Sequence, residues 1–72
     1  MTPTQLGEIV RTARRNLGLR QDELAGAAGV GLRFIVDLEA GKPTAQIGKA
    51  FAVLGALGCE VRINMPTGRR GS

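Results

Sequence analysis

The sequence has no histidine, tryptophan or tyrosine, one cysteine and two phenylalanines among its 72 residues. Each shortage excludes a class of chemistry. Without histidine or a second cysteine, Cys59 can complete neither a zinc site nor a disulfide within the chain, so no staple holds the fold. A domain of this length buries only about 60% of its unfolded surface, and its stability must come from helix packing or from dimerisation. Catalysis lacks its parts as well. There is no Ser, His or Cys constellation, the carboxylates fall in helical turns that read as exposed, and no glycine-rich loop follows a strand. The sequence accordingly predicts no enzyme, no metal and no cofactor. The scarcity of aromatic rings removes the stacking platforms that hold single strands and unpaired RNA bases. No apolar run of about 18 residues occurs, and no apolar stretch follows a basic N-terminus, so neither a membrane span nor secretion is expected. The cytoplasm is the default.

What is present is positive charge. Ten Lys and Arg against six Asp and Glu give a net charge of +4, and the field of such a chain favours polyanions. With stacking excluded, duplex DNA is the first candidate; a basic domain with no polyanion partner is the alternative.

Helical spacing runs through residues 2–58. Leu6, Ile9, Val10, Ala13 and Leu17 recur at the intervals of one buried stripe, with Arg11, Arg14 and Arg15 interleaved. Thr2 can cap this helix, Pro3 suits its first position, and Gln5 completes a capping box; Asn16-Leu17-Gly18 stops it. A second helix is expected from about Gln21 to Ala28, with Leu24, Ala25 and Ala28 inward, Asp22 and Glu23 in its first turn and Gly29 as its stop. A third spans about Leu32 to Ala40, with Ile35 and Leu38 inward and Gly41 after it. A fourth, capped by Thr44, spans about Ala45 to Leu57, with Ile47, Phe51, Leu54 and Leu57 expected to face the core.

After Gly58 the period changes. Cys59, Val61, Ile63 and Met65 alternate with Glu60, Arg62 and Asn64, the pattern of a half-buried strand. With no second strand in the chain to pair with, its simplest mate is its own copy in a homodimer. The expected organisation is therefore a helical domain over 1–58, a dimerisation strand over 59–65 and a loose basic tail over 66–72.

Between Gln21 and Ala40, Ala25 sits where two helices would cross, Gly29 sits in the turn, and Ile35 and Leu38 sit inside the second helix. A bulky residue at Ala25 would push the helices apart, and a Cβ at Gly29 would resist a left-handed turn. This spacing fits a helix-turn-helix, although a helical hairpin in any small core has similar needs. The segment NLGLRQDELAGAAGVGLRFIVDLEAGKPT, residues 16–44, resembles the core of the Xre, or phage-repressor-like, helix-turn-helix family. That family runs Gly-Leu-x-Gln-x-x-Leu-Ala, then Gly-Val, then a recognition helix ending Ile-x-x-Leu-Glu-x-Gly-Lys. With PTQLGEIVRTARR before it and the alternating strand after it, the chain resembles the HipB-type antitoxin branch.

The resemblance implies an all-α, lambda-repressor-like bundle of four short helices, with a C-terminal β-strand paired across a dimer. It further implies a repressor of double-stranded DNA at an inverted-repeat operator, partnered by a HipA-type serine/threonine kinase toxin. A stand-alone Xre-family regulator and a protein-only interaction module remain the other readings. The DNA-binding set is Arg20, Gln21, Gly31, Leu32, Arg33, Phe34, Val36, Asp37 and Lys42. Arg20 and Gly31 stand where the family has capping Thr and Ser, so both helices begin with weaker caps and Arg20 is available for a phosphate. Gln21 matches a phosphate-binding glutamine of the family. Arg33 reads guanine or touches phosphate; Asp37 accepts from cytosine, orients Arg33 or is merely solvated; Lys42 touches phosphate. Leu32, Phe34 and Val36 are placed outward, against thymine methyls. Arg14 and Glu39 match a family ion pair joining the first helix to the end of the recognition helix. Cys59, Val61, Ile63 and Met65 form the dimerisation set.

Overall fold

A computed structural model describes residues 1–66, so the expected basic tail lies outside the described residues except for Pro66. Four helices are formed: α1 (Pro3–Asn16), α2 (Gln21–Ala28), α3 (Leu32–Glu39) and α4 (Ile47–Ala56). The first begins on the capping box read from the sequence. Thr2 Oγ1 accepts from Gln5 N at 3.1 Å and Gln5 Oε1 accepts from Thr2 N at 2.8 Å, satisfying two donors that helix geometry leaves orphaned. Neither Arg20 nor Gly31 caps its helix with a side chain. At α2 the deficit is met from the other side, where Glu23 Oε1 accepts from Arg20 N at 2.8 Å.

α1 packs on α3, and α2 packs on both α3 and α4. The core between them is Val10, Leu24, Ala25, Ile35, Leu38, Ala50, Val53, Leu54 and Leu57. Ala25 is buried at the crossing of α2, and Gly29 turns the chain into α3 at φ +70°, where a Cβ would be strained.

Three expectations need correction. Ile9 and Leu17 are exposed, because the buried side of α1 is rotated toward Gly7, Val10 and Arg14. The fourth helix starts at Ile47 with Gln46 as its N-cap, and Thr44 lies in the preceding turn. Ala45 is drawn against the core, so the chain runs extended past it before the helix can begin. Ile47 and Phe51 face outward, at 70% and 51% exposure, and Ala50 and Val53 take the inner positions. α4 is apolar on every side, so its periodicity allows two inner faces, and the one with the small Ala50 lets it sit close to α2. Residues 59–66 form no regular secondary structure in the single chain. Cys59 packs against the core and its backbone N–H donates to Leu54 O at 2.9 Å, whereas Val61, Ile63 and Met65 are exposed.

Candidate nucleic-acid interface

The position of α3 is fixed at its C-terminal end by one carboxylate. Arg14 Nε donates to Glu39 Oε2 at 2.6 Å and Arg14 Nη2 to Glu39 Oε1 at 3.0 Å, a bidentate fork between α1 and α3. Gln21 Nε2 of α2 donates to the same Oε1 at 3.1 Å, and Arg11 Nη2 donates to the Glu39 carbonyl at 3.2 Å. Arg14 Nη1 reaches the Leu19 carbonyl at 2.8 Å, tying down the α1–α2 turn. Three helices thus meet on Glu39. Both ionic partners are buried, Arg14 at 9% and Glu39 at 4% exposure. Burial alone pushes the Glu39 carboxyl up, but the hydrogen bonds from Arg14 and Gln21, with the charges of Arg14 and Arg11, outweigh it and hold the group below the usual carboxylate value. The hydrogen bond to Glu39 raises Arg14 in turn, so the pair stays ionised.

With its inner side locked, α3 presents Leu32, Arg33, Val36 and Asp37 on one outer face, at spacings that make i, i+4 neighbours. Leu32 and Arg33 are exposed; Val36 and Asp37 are half-buried. Arg33 Nε lies 3.4 Å from Asp37 Oδ1, and Lys42 Nζ lies 3.3 Å from that same oxygen. One carboxylate oxygen therefore holds two cations at the surface.

The remaining members of the expected set are placed differently. Phe34 is half-buried: it packs against the core on one side and borders the hollow beside α3 on the other, with Lys49 Nζ 5.9 Å from its ring centre. Its position one residue before Ile35 puts it at the border of the inner face. Arg20 is exposed but bent onto its own helix, with Nε 3.1 Å from Asp22 Oδ1 and Nη2 3.8 Å from Glu23 Oε2. Gln21 spends one amide hydrogen on Glu39, leaving the second for an outside acceptor. Gly31 is exposed at the N-cap of α3.

Sequence reasoning missed Arg11, Lys49 and Gly7. Lys49 joins Lys42 and Gln46 around a shallow hollow of about 160 Å³ beside the exposed face of α3, adding a second lysine there. Gly7 is where α1 touches α3: a Cβ there would stand 2.6 Å from the Leu38 carbonyl oxygen and 2.7 Å from that of Glu39. A glycine in the middle of an amphipathic helix was the available signal. Among the described residues no group of three or more His, Cys, Asp or Glu could hold a metal ion, and no helix is long and apolar enough to cross a membrane.

Comparison with known proteins agrees with this geometry. A solved structure described as an MDT protein superposes with a TM-score of 0.81 over 90% of this chain and 92% of that one, at 26% identity. A protein of Sinorhizobium fredii (strain NBRC 101917 / NGR234), described as the uncharacterized HTH-type transcriptional regulator y4mF, is 65% identical over 69 residues. That match covers 96% of this chain and 91% of the relative. The helix-turn-helix family profile HTH_3 matches residues 10–64, which include α2, the Gly29 turn, α3 and the Glu39 junction, and the chain belongs to that family.

Proposed function

We propose that this helix-turn-helix protein is a sequence-specific transcriptional repressor that binds duplex DNA as a homodimer. In this reading it is the antitoxin of a HipA-type kinase toxin and represses the operon encoding both. DNA binding and transcriptional regulation follow from the family and from the named function of the Sinorhizobium relative, and such regulators are not enzymes. The observation that carries the reading is the locked α3, whose exposed Leu32, Arg33, Val36 and Asp37 form a face of a size to enter a major groove. The antitoxin role rests on the resemblance of both chain ends to the HipB-type branch; a stand-alone regulator would lack a kinase-toxin gene beside its own. In the dimer, segments 59–65 from two copies pair antiparallel and lay Val61 and Ile63, with Cys59 and Met65, over the helices.

Footprinting on the protein's own promoter tests the core of this reading. Two recognition helices related by a two-fold axis protect half-sites about one helical turn, roughly 34 Å, apart on an inverted repeat. Protection of a single half-site, or of none, would exclude that geometry. Within the footprint, Arg33→Ala is expected to cost about 1–3 kcal/mol on the operator and to relax preference at one base pair. Lys42→Ala instead weakens operator and random duplex alike and reduces the salt slope by about one. Titrations on both DNAs at several salt concentrations separate the two. Equal losses on both for Arg33→Ala would make it a phosphate contact.

A further inference from the structure

α4 is apolar on the side that faces solvent as well as on the side that faces the core. Its one charged residue is Lys49, and the arc away from Ala50, Val53 and Leu54 is otherwise Ile47, Gly48, Phe51, Ala52, Gly55 and Ala56. A helix that is apolar all round belongs in an interior. The two glycines sharpen the point. A Cβ at Gly48 or Gly55 would meet nothing within 4 Å, and neither residue has a positive φ, so nothing inside the chain calls for glycine there. Glycine inside a helix nonetheless weakens it. Gly48, Ala52 and Gly55 stand at i, i+4 and i+7, a line without bulk along the middle of the exposed arc, with Ile47 and Phe51 beside it. Such a line lets a second helix backbone come close while the large side chains pack alongside.

We propose that this face of α4 is the seat of a second copy of the chain, α4 lying antiparallel on its counterpart about a two-fold axis near Ala52. The inference rests on the homodimer reading above and adds a helical seam to its paired segments. Chemistry selects the occupant. The face offers no charge for a foreign partner to complement, since Lys49 lies toward Phe34, whereas a two-fold sets Phe51 of each copy against the small residues of the other. Continuity points the same way, because the exposed Val61, Ile63 and Met65 lie in the segment that follows α4 in the chain, a few residues after its last turn. With Ile47 and Phe51 they are five large apolar side chains left half or more exposed, the kind of residue that a standard interface of roughly 800 Å² per partner covers.

Sedimentation and oxidative cross-linking of the full chain test the seam. Phe51→Asp and Gly48→Leu are expected to raise the dimer dissociation constant by about tenfold or more. Helical circular dichroism should persist in both, since the two positions face solvent in the single chain. In a Cys59→Ser background, Ala52→Cys should cross-link to a covalent dimer on oxidation, while Thr12→Cys on the exposed side of α1 should not. If Val61→Asp with Ile63→Asp dissociates the dimer but both α4 variants leave it intact and Ala52→Cys fails to cross-link, the seam is wrong and the dimer stands on its strands alone. A wild-type chain that sediments as a monomer at every concentration overturns both. Were Phe51→Asp to lose its helical signal, the Ala52→Cys cross-link alone decides: its formation supports the seam and its absence rejects it.

Discussion

Glu39→Ala is expected to remove most of the stability of the domain. The substitution strands the Arg14 guanidinium in a buried site, and a guanidinium is too strong a base to escape by losing its proton. Breaking a buried pair in this way costs about 3–5 kcal/mol. Per-residue averages give a chain of this size only roughly 4–11 kcal/mol in total. The midpoint of urea unfolding should fall accordingly, and at the lower end of that range the variant is largely unfolded at 25 °C. The paired substitution Arg14→Met with Glu39→Leu should recover much of the loss, because it removes both charges together. It should not recover operator binding, since the fork that sets α3 is gone. If Glu39→Ala cost less than about 1 kcal/mol, the junction would be no more than a surface pair.

Acid should act through the same carboxyl. Glu39 is held below its usual value in the fold, so its contribution is complete above the unfolded value of about 4.3 and is lost as pH falls through the folded one. Part of the loss of stability below about pH 4 should therefore be missing in Glu39→Gln, which is already weakened at neutral pH.

Gly7→Ala is expected to destabilise strongly although it replaces the poorer helix former. Propensity alone would favour alanine by about 1 kcal/mol. Its Cβ, however, would lie 2.6 Å and 2.7 Å from two backbone oxygens at the end of α3, atoms that cannot swing aside. α1 and α3 must part, at a cost of about 1–3 kcal/mol for overpacking, and the parting also stretches the Arg14–Glu39 fork. At about 4–8 °C per kcal/mol for a domain of this size, the thermal midpoint should drop by roughly 4–24 °C. Gly26→Ala in α2 supplies the contrast, because its Cβ would meet nothing within 4 Å, and it should raise the midpoint by a few degrees. Equal increases for both would show that the helices do not touch at Gly7.

The helices and the turn were legible because local chemistry specifies them. Thr2, Pro3 and Gln5 write the start of α1, Gly29 writes the turn before α3, and the family match of Arg14 with Glu39 marks the pair that joins α1 to α3, although Gln21 was assigned to a phosphate and its bond to Glu39 was not read. Half of the inner face of α4 was read correctly, Leu54 and Leu57, but Ile47 and Phe51 were taken for Ala50 and Val53, because a helix with a single charge carries little record of which side is inside. Phe34 was placed outward but is half-buried for a related reason: at the edge of the inner arc it touches the core and the surface together. Gly7 escaped because a glycine inside a helix marks a special position without naming its cause, here a backbone far along the chain. The segment 59–66 shows its alternation in sequence, but pairing is a property of two chains and is not written in one.

The junction at Glu39 also divides the protein into residues under different evolutionary constraint. Arg14, Glu39, Gly7 and the inner side of α3 are fixed by one another, so most changes there cost folding and are removed by selection. Leu32 and Arg33 contribute little to that frame, and exchanges at such exposed positions usually alter stability by no more than about 0.5 kcal/mol. Descendants of this chain are therefore free to drift toward new operators one outward residue at a time, each intermediate remaining folded, while the scaffold that holds the helix scarcely changes.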